Sequence, residues 1–115
     1  MTSKIIPLEK AQGIEGCVLT YGHFNTIHPG HIRYLRHAKS QGEFLVVALI
    51  GDLKTDKAPR YQFSQRERAE ALALIDIPDL VILLKENELP LAVDLLKPRL
   101  LVLGKEFENR KEVEI

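Results

Sequence analysis

Tryptophan is absent from the 115-residue chain, methionine and cysteine occur once each, and only Phe and Tyr supply its 6% aromatic content. The lone cysteine, Cys17, excludes an intramolecular disulfide framework and a Cys-rich zinc site. It fits a reducing compartment, so a cytoplasmic location is expected. Net charge of either sign is also missing, because 16 Lys+Arg balance 16 Asp+Glu. That balance argues against a general nucleic-acid binder or a polybasic membrane binder. No apolar run approaches the roughly 20 residues of a membrane span. The opening block Ile5-Ile6-Pro7 is too short for a secretory signal. Internal repeats and low-complexity tracts are lacking as well. What remains is 45% hydrophobic and 28% charged, which excludes a disordered chain. The length fits one domain over residues 1–115 with a core of its own.

Regular punctuation divides the chain. Lys4 to Gly16 reads as a lead-in with a helical turn around Leu8 to Gln12. Cys17-Val18-Leu19-Thr20-Tyr21, closed by Gly22, reads as a buried strand. Pro29 suits a first helical position, with Ile32, Leu35, Ala38 and Lys39 at helical spacing and a stop near Gly42. Phe44 to Ile50 is continuously apolar, as in a strand covered on both faces. Leu53 to Phe63 reads as a long polar, basic loop. Ser64-Gln65-Arg66-Glu67 is a capping-box pattern that opens a helix running to about Ile75. Leu80 to Leu84 reads as a strand, Leu89 to Leu96 as a helix ended by Pro98, and Leu100 to Leu103 as a further strand. The order β-α-β-α-β-α-β predicts an α/β, Rossmann-like, doubly wound parallel sheet with helices on both faces. Ligands of such sheets sit beyond the carboxyl ends of the strands, where the strand order reverses. The segments Gly22–Gly30, Gly51–Phe63 and Gly104 onward are therefore the ones to inspect.

The densest chemistry follows the first of these strands: Gly22-His23-Phe24-Asn25-Thr26-Ile27-His28-Pro29-Gly30-His31. A helix N-terminus presents unpaired amide N–H groups and partial positive charge, which together cradle phosphate. Gly22 permits a sharp turn, and Gly30 permits close approach of a ligand to the backbone. His28 and His31 flank Pro29-Gly30, so two ring N–H donors could stabilise charge on a phosphoryl group. Carboxylate or thiolate ligands are lacking nearby, so a resident metal site is not expected. His37 has no motif around it and reads as a solvent-facing helix residue. Taken by themselves, Lys54, Lys57 and Arg60 read as a solvated, basic loop, Asp52 as an ordinary turn residue, and Arg68 as half of a surface ion pair with Glu67 or Asp76.

The pattern Gly22, Phe24, Asn25, His28, Gly30, His31 resembles the His-x-Gly-His nucleotidyltransferases of the cytidylyltransferase-like superfamily. The continuation Ile32-Arg33-Tyr34-Leu35, Ala38-Lys39 and Gly42, with the lead-in Lys4 to Leu8, looks most like the adenylyltransferase domain of bacterial ADP-heptose synthases. The resemblance implies transfer of a nucleoside monophosphate from ATP or CTP to a phosphorylated, sugar-type acceptor, with pyrophosphate leaving. It implies His28, His31 and Lys57 as catalytic residues, with Lys54 and Arg60 as further phosphate-reaching cations, Asp52 as a site acid, and Arg68 as a phosphate contact or a holder of the loop. Tyr21, Gly22, His23, Phe24, Asn25, Gly30, Asp52, Arg60 and Arg68 are the implied nucleotide-binding residues. Mg2+ bridging phosphate oxygens is the implied cofactor. A homodimer and a fused sugar-kinase domain are compatible partners. Glycerol phosphate, phosphoethanolamine or nicotinamide mononucleotide are alternative acceptors. A nucleotide-binding module without turnover is the reading outside catalysis.

The chain departs from that pattern in three places. Asn25 stands where the heptose-type motif has Asp. Leu103-Gly104-Lys105-Glu106-Phe107 stands where it has Lys-Gly-Gly-Asp-Tyr. The family continues through another strand and a Ser/Thr-rich loop beyond the position of Ile115, so the chain is expected to be part of a longer protein.

Overall fold

The computed structural model describes residues 4–24, 27, 29–51, 63–85 and 87–103. They form β1 (Ile5–Pro7), a 3-10 turn (Leu8–Lys10), β2 (Val18–Gly22), α1 (Pro29–Lys39), β3 (Leu45–Leu49), α2 (Gln65–Leu74), β4 (Leu80–Leu83), α3 (Leu89–Leu96) and β5 (Leu100–Leu103). All strand pairings are parallel, in the order β1-β4-β3-β2-β5. The expected α/β class and doubly wound sheet are therefore observed.

Alternation along each strand builds two cores. Val18, Leu45, Val47, Leu49 and Val81 face α1 and α2, where Leu35, Ala38, Ala69 and Leu72 meet them. Leu19, Val46, Ala48, Leu80 and Ile82 face the other way, onto Leu8 and Ala11 and onto Ala92 and Leu96 of α3. β3 is buried at all five positions because helices cover both its faces.

The helix boundaries follow from local chemistry. Pro29 is the first residue of α1. Ser64 caps α2 with a complete capping box: its side chain accepts from Glu67 N, and the Glu67 side chain accepts from Ser64 N. α3 ends where Lys97 turns left-handed at φ 44°, next to Pro98.

The lead-in contains the expected helical turn, at Leu8–Lys10, but it also holds an unexpected fifth strand, Ile5–Pro7. Three residues are too few to show a period, and the strand exists because the edge of β4 offers it a ladder. Ile5 aligns with Val81, and Val81 N donates to Lys4 O at 2.7 Å. The long runs also trim inward, since Cys17, Phe44, Ile50 and Leu84 lie just outside strands.

The chain steps from β2 through α1 to β3, and through α2 to β4, moving one way across the sheet. The crossover through α3 then brings β5 to the far side of β2. The strand order reverses between β2 and β5, and ligands of such sheets sit beyond the carboxyl ends of the strands at that point. Among the described residues no helix is long and apolar enough to cross a membrane.

Candidate functional site

β2 ends on Gly22, and the chain turns at once. Phe24 takes a left-handed backbone at φ 49°, a conformation an aromatic residue adopts at a cost of order 1–3 kcal/mol. Packing offsets that cost. The Phe24 ring is only 4% exposed. It stacks on Tyr34 at 6.3 Å between centroids, 13° from parallel. It also meets the His31 ring at 5.4 Å and 52°. A Cβ on Gly22 would lie 3.0 Å from Phe24 Cε2. Glycine is thus needed here for the ring to fold back over the strand end. Tyr34 is fixed in turn by donating from Oη to Val102 O at 2.6 Å, which ties α1 to β5.

The outcome is a first turn of α1 whose His31 imidazole is held by an aromatic floor at the carboxyl end of β2. Gly30 and His31 are both half-buried there. Tyr21 packs on the opposite side of the sheet, with the α3 core. The structure therefore separates it from Phe24 and His31. His28, Asn25, Lys54, Lys57, Asp52 and Arg60 lie outside the described residues, as does the stretch from Gly104 onward.

Arg68 corrects one expectation. It is no surface ion-pair residue, for only 1% of it is exposed, and Asp76 pairs with Lys4 instead. Its Nη1 donates to His23 O at 2.7 Å and to Ile50 O at 2.9 Å. Its Nε donates to Phe63 O at 3.1 Å. A buried guanidinium is tolerated only when its donors are used, and peptide carbonyls supply the acceptors. Arg68 thereby joins the loop after β2, the chain leaving β3 and the chain entering α2.

Gln65 is a site residue that no sequence motif marks. Its Nε2 donates to Leu49 O at 3.0 Å and to Leu84 O at 2.7 Å, bridging the ends of β3 and β4. A signal was present: positions 65, 68, 69 and 72 share one helical face, and two of them are polar. An open groove of about 440 Å3 runs beside this cluster, lined by Phe24, Ile27, Phe63, Arg68 and Leu74 among others. Among the described residues no group of three or more His, Cys, Asp or Glu is placed to hold a metal ion.

Comparison with known proteins agrees with this geometry. Residues 19–114 match the family model described as cytidylyltransferase-like. The Bifunctional protein HldE of Geobacter metallireducens is 39% identical over 108 residues, covering 90% of this chain and 21% of that protein. The Bifunctional protein HldE of Helicobacter pylori (strain P12) is 36% identical over 118 residues, covering 96% of this chain and 25% of that protein. The chain thus spans about a fifth to a quarter of the length of these relatives. The crystal structure of a lipopolysaccharide core biosynthesis protein from Thermoplasma volcanium superposes with a TM-score of 0.67 at 28% identity, covering 76% of this chain and 71% of that one.

Proposed function

The chain belongs to the cytidylyltransferase-like family, and from that premise we propose that it transfers a nucleoside monophosphate from ATP or CTP to a phosphorylated, sugar-type acceptor. An acceptor phosphate oxygen attacks the α-phosphorus. The bond from that phosphorus to the bridging oxygen breaks, and pyrophosphate leaves with the electron pair. No protein nucleophile is required, so the residues position the reactants and offset developing charge.

The observation that carries this reading is the His31 ring, held on Phe24 at the first turn of α1. An imidazole N–H there can donate to a phosphate oxygen, and the helix dipole favours the same anion. His28 is its proposed partner, with Lys57, Arg60 and Asp52 completing the nucleotide's surroundings. Mg2+, entering with the triphosphate, would lower its negative charge.

Relatives named bifunctional support two further proposals. The chain would be one unit of a longer protein, with a sugar-kinase unit supplying the acceptor phosphate. The reaction would serve ADP-heptose synthesis in the cytoplasm, where nucleoside triphosphates are made.

The test is pyrophosphate release from ATP and from CTP with Mg2+, across a panel of acceptors that includes a heptose phosphate and glycerol phosphate. Release with the heptose phosphate, lost in His31→Ala, is the expected result. Activity only with another acceptor would replace the substrate. Tight nucleotide binding without release in the full-length protein would leave a binding module.

A further inference from the structure

We propose that Gln65 is a positioning residue for this site, aligning the ends of β3 and β4 and, through Arg68, the turn after β2 that carries Phe24. The inference rests on the nucleotidyltransferase reading given above.

A parallel ladder runs out of partners at its carboxyl end. Here the last rungs are Ile50 N to Gly22 O at 3.0 Å and Leu84 N to Leu49 O at 3.1 Å. Beyond them, Leu84 is nearly buried, and its carbonyl still needs a donor. Gln65 meets that need. Its amide nitrogen carries two N–H groups, and two carbonyls, Leu49 O and Leu84 O, lie within 3.0 Å of it. Both acceptors are oxygens, so the amide nitrogen and not its oxygen faces the sheet. Gly51 makes the arrangement fit, because a Cβ there would lie 2.8 Å from Leu84 O.

Gln65 locks β3 to β4, and Arg68, on the same face one turn later, locks Ile50 to His23. The two together form a chain of bonds from Leu84 to His23. His23 immediately precedes Phe24, on which the His31 ring rests. A loosened β3 end would therefore reach the imidazole through one buried guanidinium and one aromatic ring. Alignment of this kind acts on turnover, where a displacement of about 1 Å can cost 100-fold. A residue that only adds stability would leave turnover intact below the melting range.

The experiment compares Gln65→Met, which keeps length but removes both donors, with Gln65→Lys, whose ammonium can donate to both carbonyls. Pyrophosphate release is measured in the full-length protein well below each variant's melting temperature. Backbone hydrogen exchange at Gly22–Phe24 and Ile50–Gly51 is measured without ligand. In Gln65→Met, kcat should fall about tenfold or more while KM for the nucleotide stays within about threefold. Exchange at both segments should quicken, and Gln65→Lys should restore part of each. Unchanged exchange, or a lowered melting temperature with kcat intact, overturns the proposal. If the unmodified protein releases no pyrophosphate with any acceptor, the nucleotidyltransferase reading fails. The exchange comparison then decides the strand-end lock by itself.

Discussion

Phe24 folds its ring back over Gly22, so that a single added carbon at Gly22 would stand 3.0 Å from Phe24 Cε2. One residue's lack of a side chain thus makes room for another's ring, two positions on. The left-handed backbone at Phe24, φ 49°, is held by that fit and by the stacking on Tyr34.

Gly22→Ala should therefore act as overpacking. The methyl group meets a buried ring that His31 and Tyr34 confine, so the ring must shift by a few tenths of an ångström. A cost of about 1–3 kcal/mol is expected for such crowding. Urea unfolding should show a lower midpoint with an unchanged slope. Wild-type stability in Gly22→Ala would mean that the ring has room to move.

Much of this architecture was legible in the residues, and the rest was hidden for identifiable reasons. The β5 run Leu100–Leu103 and the α3 run Leu89–Leu96 stand out because apolar blocks sit between Pro and Gly signals. The α2 start is written in Ser64 and Glu67. β1 escaped notice because its formation depends on β4, about 75 residues away in the chain. Gly22, Phe24 and His31 were readable as one motif, since they share a short segment. The residues alone do not fix the role of Arg68, because a guanidinium's partners depend on which carbonyls end up unpaired. Gln65 carries only a positional signal, a polar residue on the helical face it shares with Arg68, Ala69 and Leu72. Its role exists only once the ends of β3 and β4 lie side by side.

Ser64→Ala should weaken the start of α2. The serine oxygen accepts from Glu67 N at 3.2 Å, and the Glu67 carboxylate accepts from Ser64 N at 3.1 Å. Loss of an N-cap costs about 1 kcal/mol. Thermal unfolding followed by circular dichroism should shift down by a few degrees. Ser64→Asp should recover most of the loss, because aspartate also caps and favours the helix N-terminus. Failure of Asp to recover it would show that the hydroxyl matters for something besides capping.

Tyr34→Phe isolates the tie between α1 and β5. The ring and its stacking on Phe24 stay, while the bond from Tyr34 Oη to Val102 O is lost. Removal of one such bond costs about 0.5–1.5 kcal/mol. Because β5 lies at the edge of the sheet among the described residues, the effect should be local. Hydrogen exchange should quicken in residues 100–103 and remain unchanged in β3 and β4. Uniform quickening across the sheet would place β5 within the global unfolding unit.

Cys17 sets an alkaline limit on stability. Its side chain is buried, and burial pushes the thiol above its ordinary pKa, outweighing a backbone hydrogen bond that acts the other way. The folded thiol therefore keeps its proton at pH values where the unfolded thiol has lost its own. Below the unfolded value both states are protonated, and the group leaves stability unchanged with pH. As pH rises through the unfolded value toward the raised folded value, the unfolded state alone gains by ionising, so stability falls. Cys17→Ala removes that contribution but leaves a small cavity, so its stability should be lower near neutrality and decline less steeply on the alkaline side. The measurement is the urea midpoint from pH 7 to pH 10 for both proteins, with alkylation of the native thiol followed in parallel. Slow alkylation that quickens only when urea opens the fold is expected. Identical alkaline slopes for the two proteins would mean that another group controls the loss.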